Sequence, residues 1–129
     1  QDPHPGAPVK TATLIDLLKR RSHPVRAGDA PLTHAAADLL LPLIAGWQRT
    51  GDEIHKTYPF ANYHDTIAFV NALAFVAHRE DHHPELEVSY NRVRVRFSTH
   101  DVKGLSENDF ICAAKVETLI SPLWTDATP

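Results

Sequence analysis

The chain has 129 residues, 43% hydrophobic and 22% charged, which suits one domain with an ordinary core. Its formal net charge of −3 argues against nucleic acid or an anionic membrane surface as the main partner. One cysteine, Cys112, excludes an internal disulfide and points to a cytoplasmic, reducing compartment.

Residues 1–10 hold Pro3, Pro5, Pro8 and Gly6 and read as a flexible arm. They contain no signal-peptide apolar stretch. The chain has no Met, so its first residue is expected not to be an initiator. A short amphipathic helix is expected over Thr13–Arg21. Leu14, Leu17 and Leu18 share one face, and Thr13 with Asp16 resembles a capping box. Docking on its own domain is the favoured role for this helix, ahead of binding a partner. Pro24, Gly28 and Pro31 mark residues 22–31 as a linker.

Thr33 can cap a helix beginning at His34, with Ala36, Leu39, Leu40, Leu43 and Ile44 as its apolar stripe. Pro42 should bend that helix or end it early. Residues 47–50 and 54–58 read as two short strands around a Gly51-Asp52 turn. Asn62 opens the longest helix, with Asp65 as cap partner. Ile67, Val70, Leu73, Ala74 and Ala77 form its main apolar face. Phe69, Phe75 and Val76 widen that face beyond what one sheet needs, so a subunit interface is expected here. No apolar run is long enough to span a bilayer.

Pro84 separates this helix from a β-hairpin. In the hairpin's second arm Val93, Val95 and Phe97 alternate with Arg92, Arg94 and Arg96, a period of two. In the first arm Leu86 and Val88 alternate with Glu85, Glu87 and Ser89. Facing residues of an antiparallel pair lie on the same side of the sheet. A two-residue loop at Tyr90-Asn91 puts all the apolar residues on one side. It pairs Val88 with Val93, Glu87 with Arg94, Leu86 with Val95 and Glu85 with Arg96. Glutamates therefore face the arginines, and the arginine stripe reads as a solvated face rather than a phosphate site. Continued outward, the register sets His83 opposite Ser98 and His82 opposite Thr99, with His100 one step away. Ser106 then caps a last helix, with Asp109 at its third position and Ile111, Ala114 and Leu119 on its apolar face. Asp109 is sufficiently explained as half of a capping box with Ser106. His4, His23, His34, His55 and His64 form no constellation and are expected to be solvent-exposed.

The polar positions carry a resemblance. His82-His83-Pro84, Tyr90, His100 and Asp109 stand at the spacing of the pterin-4a-carbinolamine dehydratase family. Ser98-Thr99-His100, Gly104-Leu105-Ser106, Leu32-Thr33, Leu41-Pro42 and Gly46-Trp47 match the family's habit as well. His78 stands where the family often has an acidic residue. The resemblance covers residues 32–120 and implies an α+β fold. A four-stranded antiparallel sheet would carry three helices on one face, in the order α-β-β-α-β-β-α, beside the short N-terminal helical extension. The expected organisation is a flexible extension over 1–31, a dehydratase-like domain over 32–121 and a tail over 122–129.

The family's reaction is loss of water from a 4a-hydroxytetrahydropterin, giving a quinonoid dihydropterin. Histidine, with a reference pKa near ~6.5, suits both proton transfers. The resemblance assigns His82 and His100 as the acid–base pair, with the order open, and His83 as a pterin-binding residue with a supporting catalytic role. Asp109 would orient His100. Pro84, Thr99, Asp101 and Val102 would line the pterin, with Trp47 as an aromatic wall. No metal or other cofactor is expected. Three histidines and a carboxylate could hold zinc, but neighbours in extended chain point to opposite sides, so His82 and His83 would not share an ion. The family also implies a homodimer or homotetramer, and a link to an aromatic amino acid hydroxylase through tetrahydrobiopterin recycling. The alternative is a non-catalytic protein-binding or assembly cofactor on the same scaffold.

Overall fold

The computed structural model of the protein describes residues 13–120. The expected arm at 1–10 and the tail at 122–129 lie outside the described residues. The elements run α1 (Leu14–Lys19), α2 (His34–Leu40), β1 (Gln48–Thr50), β2 (Glu53–Pro59), α3 (Tyr63–Glu80), β3 (Glu85–Val88), β4 (Arg92–Phe97) and α4 (Glu107–Glu117). Short 3₁₀ turns occupy Leu41–Leu43, His100–Val102 and Thr118–Ile120. The fold is α+β, as expected.

The four strands form one antiparallel sheet in the order β1-β2-β4-β3. The hairpin of β3 and β4 has the register expected from its alternation: Glu85 with Arg96, Leu86 with Val95, Glu87 with Arg94 and Val88 with Val93. One face of the sheet carries Ile54, Tyr58, Val93, Val95 and Phe97, all buried. Fully burying side chains of this size stabilises the fold by about 1.5–3 kcal/mol each. Lys56 pairs with Val95 and so lies on the same face. Its ammonium donates to Glu117 Oε2 at 2.7 Å and to the Ala45 carbonyl at 2.7 Å. Tyr58 Oη and Trp47 Nε1 donate to the same carboxylate oxygen.

α3 covers this face with Phe69, Leu73 and Ala77; Leu73 and Ala77 belong to the stripe expected from sequence, and Phe69 joins them. Phe69 is drawn inward because its ring packs on Tyr58 and Phe60, at centroid distances of 4.8 and 5.1 Å. Ala74, expected in the stripe, is exposed. Phe75 is 68% exposed.

The stripe expected for α2 also needs correction. Leu39 is 80% exposed, and Ala37 is buried instead. The α-helix ends at Leu40 and tightens into a 3₁₀ turn containing Pro42. Ala37, Leu41 and Ile44 turn to the core at spacings of four and three, which leaves Leu39 on the solvent side.

α4 is buried from Asn108 to Ala114 and again at Val116. One sheet cannot bury a helix on all sides. The other side is covered by α1, whose Leu17 is 1% exposed. Arg20 pairs with Glu107 across the same junction. Helix α1 thus docks on its own domain. The stretch expected as a linker is also held: the Leu32 N–H donates to the Leu105 carbonyl at 2.8 Å. Pro31 occupies the space that a side chain at Gly104 would need, with its Cβ 2.9 Å from the position a Cβ there would take.

Candidate active site

The end of α3, the end of β4 and the start of α4 meet around an open cavity of about 600 Å³. His82, His83, Ser98, Thr99, His100 and Asp101 all line it. This gathers the histidines that sequence spacing singled out, though by a different route from the expected one. The ladder stops at Glu85 and Arg96. Residues 82–84 do not pair with 98–99, because Pro84 has no N–H to donate and the backbone of Thr99 bridges to Gly104 instead. The Thr99 N–H donates to the Gly104 carbonyl at 2.7 Å.

His82 is placed by the end of α3. Asp81 has a left-handed backbone, φ 50°, a conformation that Asp tolerates better than most residues. The Asp81 N–H donates to the His78 carbonyl at 3.2 Å and the His82 N–H to the Ala77 carbonyl at 3.1 Å. That pair is a Schellman closure, which fixes the backbone of His82 where the helix stops. The imidazole stacks on Phe97, with centroids 5.8 Å apart and planes 9° from parallel.

Asp109 stands behind His82. Its side chain is fully buried, and Oδ1 lies 2.6 Å from His82 Nε2. Oδ2 accepts from Thr99 Oγ1 at 2.7 Å and from the Ser106 N–H at 2.9 Å. Since Thr99 spends its one hydrogen on the carboxylate, Ser106 Oγ donates to Thr99 Oγ1 across their 2.7 Å contact. Three donors converge on one carboxylate, so His82 carries its hydrogen on Nε2. Nδ1 is left without a hydrogen-bond partner among the described residues. The capping relation with Ser106 and the contact with His82 coexist, one on each oxygen. The expectation that Asp109 orients His100 is corrected: it bonds His82.

His100 opens the 3₁₀ turn after Thr99 and is exposed at the cavity. His83 is exposed beside it. Pro84 and Val102 are not among the lining residues, and Val102 is buried. Trp47 does not reach the cavity. Its indole lies in the core against Tyr58 and Phe97, so the expected aromatic wall is absent. His78 is exposed on α3 and does not line the cavity.

Other lining residues had no signal in the sequence. Ser22, His23, Pro24 and Val25 form one side of the cavity, with Arg79, Glu80 and Asn108 beside them. His23 is exposed, as expected, but it faces the site. Glu80 is buried, accepts from the Ser22 N–H at 2.7 Å and from Lys115 Nζ at 2.8 Å, and forms an ion pair with Arg21 Nε at 3.1 Å. Burial alone would raise its pKa. The Lys115 and Ser22 hydrogen bonds and the two positive charges outweigh burial and hold the carboxyl below its ordinary value. In α4, burial first, then the nearby charges of Glu80 and Asp109, push the Cys112 thiol up to about 12.

Among the described residues no group of three or more His, Cys, Asp or Glu is arranged to hold a metal ion. No helix there is long and apolar enough to cross a membrane.

Residues 30–119 match the family described as Pterin 4 alpha carbinolamine dehydratase. A provisionally named pterin-4-alpha-carbinolamine dehydratase of Dechloromonas aromatica (strain RCB) is 51% identical over 109 residues, covering 84% of this chain and 97% of its own length. A similarly named protein of Xanthomonas campestris pv. campestris (strain 8004) is 56% identical over 108 residues, covering 82% and 92%. Among solved structures, a transcriptional coactivator/pterin dehydratase from Brucella melitensis superposes with a TM-score of 0.68 at 30% identity. The match covers 70% of this chain and 99% of that one.

Proposed function

The chain belongs to the pterin 4 alpha carbinolamine dehydratase family, and we propose that it dehydrates a 4a-hydroxytetrahydropterin by histidine acid–base catalysis in the cavity beside Asp109. The observation that carries this reading is the buried carboxylate held 2.6 Å from His82 Nε2, with His83 and His100 on the same cavity. Family membership supports the reaction class. The cavity volume lies within the range typical of small-molecule sites.

In the proposed step the C4a–O bond breaks and a C4a=N5 bond forms. The N5 proton leaves, and the departing hydroxyl gains a proton and becomes water. His82 Nδ1 takes the N5 proton, because the imidazolium that forms is faced by the Asp109 carboxylate. His100 protonates the leaving hydroxyl. The proton returns from His82 to His100 through solvent in the open cavity. His83, Thr99 and Asp101 contact the pterin. No electron is transferred, and every proton gained is matched by one lost.

Tetrahydrobiopterin recycling beside an aromatic amino acid hydroxylase is the setting we propose. Exposed Phe75 on α3 supports assembly as a homodimer or homotetramer. The test is to generate 4a-hydroxytetrahydropterin and follow its dehydration. Acceleration over the spontaneous rate is expected. No acceleration would leave the protein-binding scaffold as the better account.

A further inference from the structure

One side of the cavity is made by chain that lies outside the family match, which begins at residue 30. Ser22–Val25 is fastened there by two buried groups. Asn108, 3% exposed, accepts from the His23 N–H at 3.1 Å and donates to the His23 carbonyl at 2.7 Å. Its amide meets both backbone groups of one residue, as a paired strand would. Glu80 accepts the neighbouring Ser22 N–H.

The placement of these two anchors matters. Glu80 is the last residue of α3, two before His82. Asn108 is in the first turn of α4, immediately before Asp109. The same two helix ends that fix the His82–Asp109 pair therefore fix the wall facing it. Pro24 follows directly. It offers no N–H, and it biases His23 toward extended backbone. The backbone of His23 is thus occupied by Asn108 at a position that lines the cavity, and its exposed side chain takes no part in the clasp.

We propose that Ser22–Val25 is a substrate-holding wall of the active site and that His23 is a binding residue for the pterin. This rests on the dehydratase reading of the cavity. The wall acts on affinity and not on the proton transfers, since none of its groups touches His82, Asp109 or Thr99 by a hydrogen bond.

Two full-length variants test this. His23→Ala removes the imidazole and keeps the backbone clasp. Asn108→Ala removes the clasp. Biopterin binding, read by its fluorescence, and dehydration kinetics are measured with both. His23→Ala is expected to raise the biopterin Kd and the KM about tenfold, with kcat within about twofold of wild type. Asn108→Ala is expected to do the same and to speed amide exchange at Ser22 and His23. If Asn108→Ala does not fold, His23→Ala decides alone. Unchanged Kd and KM in folded His23→Ala would overturn the assignment of His23. Unchanged values in Asn108→Ala with faster exchange would overturn the wall. A loss confined to kcat would overturn both. Wild type that binds biopterin without accelerating dehydration would sink the catalytic reading and leave the wall to the Kd values. Wild type that does not bind biopterin would end both.

Discussion

Among single residues, Asp109 matters most, because its buried carboxylate serves His82. Three donors meet Asp109, so its conservative replacement is informative. Asp109→Asn keeps the shape but turns an acceptor into a donor against His82, Thr99 or Ser106. It is expected to lower kcat by about 10²-fold or more, by releasing the His82 tautomer, with steady-state dehydration as the measurement. Thr99→Val removes one donor to the carboxylate and strands the Ser106 hydroxyl. Chemical denaturation should show a loss of about 1–3 kcal/mol. The spacing of His82, His83, His100 and Asp109 was readable in the sequence because a family pattern links them. The partner of Asp109 was not. That pairing depends on where α4 lands against the end of α3, and no local pattern encodes it. Trp47 shows the same limit from the other side. Its position matched a family habit, but its indole is buried in the core and donates to Glu117 at the core's edge.

At the scale of elements, the hairpin was the most legible part. Alternation and opposite charges fixed its register, and the side-chain period of two leaves no intermediate answer. Its continuation failed where Pro84 ended the pairing. The role of residues 20–32 was the least legible. A proline-containing segment with no apolar period looks like a linker, and what holds its first part in place, the buried Glu80 and Asn108, lies far away in sequence. Glu80 makes a pH prediction. Its folded pKa is lowered, so its stabilisation is present above the ordinary carboxylate value. It is lost as pH falls through the lowered value. Wild type should therefore lose stability on the acid side more steeply than Glu80→Gln, as equilibrium denaturation across acid pH would show. Helix α1 has a simpler test. Leu17→Ala should cost roughly 2–4 kcal/mol in chemical denaturation, since Leu17 fills the far side of α4.

At the scale of the whole molecule, α4 is the centre. It is covered by the sheet and α3 on one side and by α1 on the other. Cys112, fully buried within it, is a natural probe of cooperative unfolding. With its thiol pushed up to about 12, it should resist a thiol reagent at neutral pH and react only as the domain opens. Fast labelling of native protein would contradict this packing. The arginine face of the sheet is paired with Glu53 and Glu87, whereas α3 leaves Phe75 exposed, and sedimentation at micromolar concentration tests assembly. The fold class was legible throughout, because long periodic segments report it. The cavity was legible only on the side built from residues 82–109.

The central claim is that His82 and His100 move the protons of a dehydration. The most direct measurement is kcat for 4a-hydroxytetrahydropterin with wild type, His82→Ala, His100→Ala and the double variant, each with biopterin Kd determined. The expected result is a fall of roughly 10²–10⁴-fold in kcat for each single variant, a double variant that falls little further, and biopterin binding largely retained. Wild-type kcat in either single variant, with binding intact, would contradict it.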